Sequence, residues 1–282
     1  MGQWARIAFD VYGVKVGIRL SSQGMLEHVR RLLPTNWPAS PEVSIRRLYS
    51  VVDMESPPES PNRGSVLVVP KELGGAAYKR YSVFVNRRIL TRHSHLETAA
   101  DRLTQDLQLY IASRSETYTF IHAGVVGWHG RVIVIPGRSG SGKSTLVNAL
   151  VQAGAAYYSD EYAPVDKYGR VHAYLRPLSQ RVDGSERHIK HHCFYHLEQP
   201  IPGAAPPGLI VACSYRRGAA WRPRLLNSAD ALLKLLENSV AVRRWPKSTL
   251  STLGQIVQST ECIAGERGES TEIVNHILKR CC

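Results

Sequence analysis

One run of nine residues, from Gly137 to Thr145, reads GRSGSGKST and constrains the fold of this chain more than any other feature. It matches the pattern of a phosphate-binding loop, in which glycines let successive backbone N–H groups turn inward towards phosphate oxygens. Such a loop joins a buried strand to a helix whose positive end also attracts the anion. The flanking residues agree, because RVIVIP is typical of a strand and LVNALVQAG of a helix. The motif therefore predicts an α/β nucleotide-binding domain.

Each position of the motif has a predicted role towards a nucleoside triphosphate. Lys143 is expected to bridge the β- and γ-phosphates, Ser144 to hold Mg²⁺, and Thr145 to support the start of the helix. The other predicted nucleotide-binding residues line the loop itself: Gly137, Ser139, Gly140, Ser141 and Gly142. ATP and Mg²⁺ are the predicted cofactors, although the motif leaves the choice between ATP and GTP open. The GxGxxG fingerprint of dinucleotide-binding proteins is not met, since Thr145 stands in place of its last glycine.

Two adjacent carboxylates, Asp160 and Glu161, follow Lys143 at a distance that leaves room for one helix and one strand. The strand AAYYS is predicted to return beside the strand that precedes the loop. Both carboxylates would then lie at the carboxyl edge of the sheet, next to a bound γ-phosphate. One acid is expected to help hold Mg²⁺ and the other to accept a proton from an incoming hydroxyl. The spacing alone does not decide which acid takes which role.

A histidine precedes the loop on the neighbouring predicted strand, within FIHAGVV. Taken alone, His122 would be interpreted as a core residue, because a single histidine among apolar residues rarely signals function. Its position beside a phosphate loop and an acid pair makes it a candidate catalytic residue instead.

Taken together, FIHAGVV, GRSGSGKST and GAAYYSDEYAPV resemble the catalytic domain of the bacterial HPr serine kinases and their relatives, which include kinases of peptide-tailoring pathways. The resemblance covers residues 117–181. It implies an α/β, HPr kinase-like P-loop domain that transfers phosphate from ATP to a serine or threonine hydroxyl of a protein or peptide. The family usually has two aspartates where this chain has Asp160 and Glu161.

The resemblance also implies roles for particular residues. His122 would orient or polarise the base, and Lys143 would bind phosphate. Because the second acid of the family serves as base, Glu161 is the expected base, while Ser144 and Asp160 are the expected metal ligands. The predicted catalytic residues are accordingly His122, Lys143, Asp160 and Glu161. The glycine-rich segment that the family carries downstream is not recognisable, so the resemblance implies neither HPr as the substrate nor the reverse phosphorolysis.

The chain is predicted to contain two domains. Residues 1–115 are expected to form a small α+β N-terminal domain, with a hairpin around Tyr12-Gly13, a helix in LEHVRRLL, strands in VSIRRLYSVV, SVLVVP and YSVFVN, and a long helix from near Ser94. Residues 116–282 are expected to form the P-loop kinase domain, with a later buried strand in LIVACSYR and helices near 228–239 and 271–280.

Composition limits the partners and the compartment. No run of about 18 uncharged apolar residues occurs, and the first residues lack the apolar stretch of a signal peptide, so a cytoplasmic protein without a membrane partner is expected. The formal net charge of +13 favours an acidic protein or peptide, or nucleic acid, over a neutral small molecule as the partner, and general solubility explains the charge equally well. A homo-oligomer is compatible with these features, and the identity of the phosphate acceptor is left open.

Two other functions are kept as alternatives. The first is a kinase of a small-molecule alcohol, whose acid pair would be placed similarly. The second is an NTPase that acts on nucleic acid. This last function is disfavoured, because the chain has no N/TKxD motif, no LSGGQ-like segment and no strongly apolar strand ending in an acid far downstream of the loop.

Two weaker signals lie downstream of the acids. In HIKHHCFYH, a helix would place His188, His192 and His196 on one face with the spacing of a metal site. No carboxylate or cysteine pair completes such a site, so a solvated or substrate-facing segment is preferred. Arg176 and Arg181 are candidates for contact with a phosphate or an acidic substrate, and ordinary surface arginines are the alternative interpretation.

Overall fold

The computed structural model describes residues 4–40, 44–55, 79–181, 190–193 and 201–281. These residues form a mixed α/β protein with two compact units, each built on a mixed sheet. The first unit comprises Met1–Leu32 and Pro38–Gln108, and the second comprises Leu33–Trp37 and Leu109–Cys282. The α/β class expected from the sequence is therefore confirmed, while the domain boundary near residue 115 stays a prediction. No helix of the described residues is both long and apolar enough to span a membrane.

The first unit contains a five-stranded sheet. Its elements are β1 (Ala5–Val11), β2 (Val14–Leu20), α1 (Gln23–Arg31), β3 (Arg47–Glu55), β4 (Lys79–Val85), β5 (Arg88–His93) and α2 (Leu96–Arg114), which runs on into the second unit. The strands lie in the order β1-β2-β3-β4-β5, with β2 and β3 parallel and the other pairs antiparallel. Tyr12 and Gly13 have positive φ at the turn between β1 and β2, so the predicted hairpin is confirmed. The predicted strand SVLVVP lies outside the described residues.

Helix α2 is joined to this sheet by polar as well as apolar contacts. Asp106 accepts hydrogen bonds from Arg47 and from the hydroxyl of Tyr49, both at 2.6 Å. On one side of α2, Ala99, Ala100, Leu103 and Leu107 are fully buried. Their helical spacing places them together in the core of this unit.

The second unit contains a seven-stranded sheet and a separate two-stranded antiparallel sheet. Its elements are β6 (Thr119–Trp128), β7 (Arg131–Pro136), α3 (Lys143–Gln152), β8 (Ala156–Ser159), β9 (Tyr162–Val165), β10 (Leu178–Arg181), β11 (Lys190–Cys193), β12 (Pro207–Tyr215), β13 (Arg224–Leu225), α4 (Ser228–Glu237), α5 (Pro246–Ser259), β14 (Glu261–Arg267) and α6 (Ser270–Arg280). The strand order is β13-β14-β12-β7-β6-β8, and β9 pairs with the first residues of β6. Because β7, β12 and β14 are parallel, their carboxyl ends share one edge of the sheet.

The position of β8 differs from the prediction. The strand AAYYS was expected beside the strand that precedes the glycine-rich loop, but β8 pairs with β6 and not with β7. Strand β6 is antiparallel to both β7 and β8, so β7 and β8 run in the same direction. The carboxyl end of β8, which leads into Asp160 and Glu161, therefore still lies at the carboxyl edge of β7.

Downstream of the acids the predictions are confirmed in part. The strand LIVACSYR and the helices near 228–239 and 271–280 correspond to β12, α4 and α6. Helix α5 and strand β14 were not predicted. Of the run HIKHHCFYH, Lys190–Cys193 form a strand, so these four residues do not adopt the helix that the metal-site spacing would need. The side chains of the histidine cluster from His188 to His196 lie outside the described residues.

A short segment from early in the chain, Leu33–Trp37, belongs to the second unit. The N–H of Thr35 donates to the carbonyl of Leu175 at 2.8 Å, and the Asn36 side chain donates to the carbonyl of Ala173 at 2.8 Å. Trp37 is 5% exposed and packs edge-on against Tyr174, with ring centroids 5.7 Å apart. The segment thus holds the stretch that leads to Arg176.

We expect Trp37→Ala to lower the free energy of unfolding of the second unit by about 3–5 kcal/mol, the usual effect of removing a buried aromatic ring from a core. Urea unfolding followed by circular dichroism measures this change. Trp4→Ala is the matched control, since Trp4 is 37% exposed and should affect stability far less. A loss for Trp37→Ala as small as that of the control would contradict the packing role.

Candidate active site

The glycine-rich loop joins the end of β7 to the start of α3. Gly142 is the N-cap of α3 and has φ of 86°, a left-handed conformation that residues with a Cβ rarely adopt. Gly142 supplies no capping side chain, so the first-turn N–H groups of α3 can turn to an anion instead. The positive end of the helix dipole favours an anion at the same place.

The other predicted loop residues are distributed between the surface and the interior. Ser139, Gly140 and Thr145 are exposed. The Oγ atom of Ser141 is buried and has no hydrogen-bond partner among the described residues. A Cβ at Gly137 would lie 2.7 Å from that Oγ, so the loop closes this tightly only with glycine there. An unsatisfied buried hydroxyl lowers stability until a polar partner binds, which fits a phosphate ligand in this loop.

Lys143, the first residue of α3, is only 8% exposed. Its Nζ donates to the carbonyl of Arg138, at the start of the same loop, at 2.9 Å. Burial lowers the pKa of Lys143, whereas the nearby charges of Glu161 and Asp160 raise it. The ammonium group is therefore held at the loop, where phosphate oxygens would compensate its buried charge.

Ser144 and Asp160 form the first of two side-chain pairs. Ser144 Oγ donates to Asp160 Oδ2 at 3.0 Å, and the hydroxyl of Tyr157 lies 3.2 Å from Asp160 Oδ1. The carboxylate is 2% exposed. Mg²⁺ prefers oxygen ligands and is commonly bound by one or two protein oxygens together with substrate phosphates, so this pair can hold it. Across the described ranges, no three His, Cys, Asp or Glu side chains are grouped so as to bind a metal by themselves.

His122 and Glu161 form the second pair. His122 Nε2 lies 3.2 Å from Glu161 Oε1, and the guanidinium of Arg176 lies 3.4 Å from Glu161 Oε2. Burial by itself would raise the pKa of Glu161. The hydrogen bond from His122 and the positive charge of Arg176 outweigh burial, with help from Lys143, and lower this pKa to about 2. The carboxylate is therefore ionised at neutral pH and remains about one third exposed.

Backbone hydrogen bonds from β6 hold the two pairs and the loop in place. The carbonyl of His122 accepts from the N–H of Gly137 at 3.2 Å, at the start of the loop. The N–H of Ala123 donates to the carbonyl of Glu161 at 3.1 Å. On its other side, the N–H of His122 donates to the carbonyl of Asn238 at 2.8 Å. Consecutive residues of one strand thus connect the loop, the acid pair and the end of α4.

Sequence reasoning missed or misplaced three residues of this site. Arg176 was a candidate for contact with a phosphate or an acidic substrate, with a surface position as the alternative; it is in fact 7% exposed and contacts Glu161. Tyr157 was part of an apolar strand pattern, yet its hydroxyl lies next to Asp160. Arg267 reaches the loop from β14, donating to the carbonyl of Gly142 at 2.8 Å. Its surroundings, AGERGES, have the composition of a surface loop, so no sequence signal marked it.

The chain matches none of the models of known protein families, and a search of curated proteins finds no match either. The resemblance to the HPr serine kinases therefore stays a prediction based on three short segments.

Proposed function

We propose that this protein is an ATP- and Mg²⁺-dependent kinase that transfers the γ-phosphate to a serine or threonine hydroxyl of a protein or peptide. The observation that carries this proposal is the presence of two different carboxylate pairs beside one glycine-rich loop. Ser144 with Asp160 offers oxygen ligands for a metal, and His122 with Glu161 offers a proton acceptor held in place. Phosphoryl transfer requires both of these functions at a single phosphate.

The loop and α3 supply the proposed phosphate-binding groups. The N–H groups at the start of α3, the Ser141 hydroxyl and the Lys143 ammonium would bind the phosphates of ATP. Ser144 and Asp160 would hold Mg²⁺, which when bound neutralises charge on the phosphate oxygens. Because phosphate and metal would compensate the groups that are buried without a full set of partners, nucleotide binding should stabilise the folded protein.

In the proposed transfer step, the acceptor oxygen forms a bond to the γ-phosphorus while the bond to the leaving oxygen of ADP breaks. The hydroxyl proton moves to Glu161, which His122 and Arg176 hold in place. A carboxylate with a pKa near 2 is a weak base. It can still orient the hydroxyl and accept its proton late, because the transition state of phosphoryl transfer is loose and needs little activation of the nucleophile.

Transfer of labelled γ-phosphate tests this proposal. The purified protein would be incubated with Mg²⁺ and γ-labelled ATP, together with an acidic peptide library that contains one serine or threonine per peptide. A matched library with alanine at that position is the control, and a panel of small alcohols is the competing substrate set. Labelling of the hydroxyl library alone supports the proposal. Labelling of the small alcohols alone, or ATP turnover that depends on added RNA or DNA, would overturn it.

We expect Mg·ATP at about 100 times its Kd to stabilise the protein by about 2.7 kcal/mol, because a ligand that binds only the folded state shifts the equilibrium by mass action. For a domain of this size that corresponds to a rise in Tm of roughly 5–10 °C, which differential scanning fluorimetry measures. Asp160→Asn should lose most of the part of this rise that depends on Mg²⁺.

Asp10→Asn is the control for this measurement, since Asp10 lies on β1 of the first unit and its side chain is about 41% exposed. An equal Mg²⁺-dependent rise in Asp160→Asn and in the control would show that Asp160 does not hold the metal.

A further inference from the structure

Arg267 is a buried arginine at the last position of β14, with 1% of its surface exposed. Its Nη2 donates to the carbonyl of Gly142 at 2.8 Å, and its Nη1 donates to the carbonyl of Gly268 at 2.9 Å. The guanidinium also lies over the ring of Tyr215, 5.4 Å from the centroid. One side chain thus connects the end of β14 to the N-cap of α3.

The guanidinium of Arg267 has hydrogen-bond partners but no counter-charge among the described residues. Its two backbone acceptors are neutral carbonyls, its other hydrogen bond is to the thiol of Cys213, and its Nε has no hydrogen-bond partner in the described part of the chain. The nearby carboxylate of Glu269 accepts instead from the hydroxyl of Tyr215, at 2.9 Å. No carboxylate of the described residues forms an ion pair with Arg267.

A buried charge without a counter-charge destabilises a protein. Here the destabilisation is increased, because the start of α3 is itself the positive end of a helix dipole and Lys143 lies there too. An anion bound at the loop would compensate all three sources of positive potential. This placement indicates that Arg267 contributes to anion binding as well as connecting β14 to α3.

Gly142 and Arg267 are also matched in shape. A Cβ at Gly142 would lie 2.5 Å from Nη2 of Arg267, well inside the closest distance that such atoms adopt. Glycine is therefore needed at position 142 for its backbone conformation and for the approach of the guanidinium. The carbonyl that Arg267 binds also accepts the first hydrogen bond of the helix, from the N–H of Leu146 at 3.1 Å.

We propose that Arg267 is a positioning residue of the phosphate site, fixing the Gly142 carbonyl so that Lys143 and Ser144 begin α3 in the geometry that binds the phosphates of ATP. Its positive charge adds to the field that attracts them. The inference rests on the proposed function, because it takes the bound anion to be a nucleoside polyphosphate.

The first test compares nucleotide affinities of Arg267→Met, Arg267→Lys and the wild type by isothermal titration calorimetry with Mg·ATP. We expect Arg267→Met to weaken binding about ten- to hundredfold, the range for a lost hydrogen bond from a charged donor. Arg267→Lys, which keeps the charge, should recover part of the loss. Adenosine, which carries no phosphate, should bind all three proteins equally, whereas a general distortion of the site would weaken adenosine as well. Arg243→Met, at an exposed arginine, is the control.

A second test needs no nucleotide. Hydrogen exchange by NMR should show the Leu146 amide exchanging about tenfold faster in Arg267→Met than in the wild type, because the start of α3 loses an anchor. If Arg267→Met does not fold, Arg267→Lys and Arg267→Gln are compared in both tests.

The outcomes separate the two proposals. If the wild type binds Mg·ATP and the folded Arg267 variants bind it equally well, the inference is wrong and the proposed function stands. If the wild type binds no nucleotide, the proposed function is wrong. The phosphate role of Arg267 fails with it, and unchanged exchange at Leu146 would then remove the positioning role too.

Discussion

Replacing Glu161 with Gln is expected to lower phosphoryl transfer by about two to four orders of magnitude, the range usual for a lost general base. Glutamine keeps the size of the side chain but does not act as the base, and its amide nitrogen replaces one of the two oxygens that face His122 and Arg176. Affinity for Mg·ATP should change little, because the proposed metal ligands, Ser144 and Asp160, are untouched. Single-turnover transfer of labelled phosphate measures the rate, and calorimetry measures nucleotide binding.

A control variant and a comparison variant are needed to interpret this result. Glu237→Gln is the matched control, at an exposed glutamate on α4 that pairs with Lys234. His122→Ala should slow transfer less than Glu161→Gln, since the histidine holds the base and does not itself receive the proton in the proposed step. Suppose that Glu161→Gln transfers phosphate at the wild-type rate, while Asp160→Asn loses transfer but still binds Mg·ATP. The roles of the two acids are then exchanged.

Replacing Lys143 with Met is expected to reduce transfer by at least about a thousandfold, because its buried ammonium lies at the loop and would bind the proposed phosphates directly. The fold should survive. Lys143 is buried, its pKa is lowered by burial, and its hydrogen bond is to a carbonyl of its own loop, so methionine of similar length removes a charge that the core does not need. Circular dichroism and Tm report folding, and labelled transfer reports activity.

Lys167→Met is the control for this variant, because Lys167 is exposed in the turn that follows β9. Normal transfer by a folded Lys143→Met protein would exclude the phosphate-binding role of the loop and, with it, the proposed kinase activity.

Local elements near the glycine-rich loop could be predicted from the sequence because their signals are local. A strand of apolar residues, a glycine-rich turn and an amphipathic helix follow one another directly, and β7 and α3 begin and end close to the predicted places. His122 and Glu161 could be proposed as partners because both flank the same motif. Their separation of 3.2 Å depends on the pairing of β6 with β7 and β9.

Strand pairing could not be predicted in the same way. The run AYYS is apolar and short, so it would fit beside either β6 or β7, and only the packing of the whole sheet decides between them. The edge of the sheet at which Asp160 and Glu161 lie depends on the direction of β8 and not on which strand it pairs with. The wrong pairing predicted for β8 therefore still left both acids at the expected edge.

The elements that were missed had weak apolar patterns. Helix α5 buries Thr249 and Thr252 along with Leu253, Ile256 and Val257, so a count of apolar residues alone misses two of its five buried positions. Strand β14 begins with a glutamate and ends in the sequence GER. Arg267 could be connected with the loop only once β14 was known to lie beside β12, two strands from β7.

The segment Leu33–Trp37 has a consequence for synthesis on the ribosome. Thr35 and its partner Leu175 are separated by 140 positions, so the segment emerges long before the residues that receive it. At about 5–20 residues per second, Trp37 would wait roughly 7–28 s with its ring uncovered. The second unit can therefore be completed only late in synthesis, when residues near Leu175 have emerged and pack against the early segment. A fragment that begins after the first unit would lack this piece of its own core.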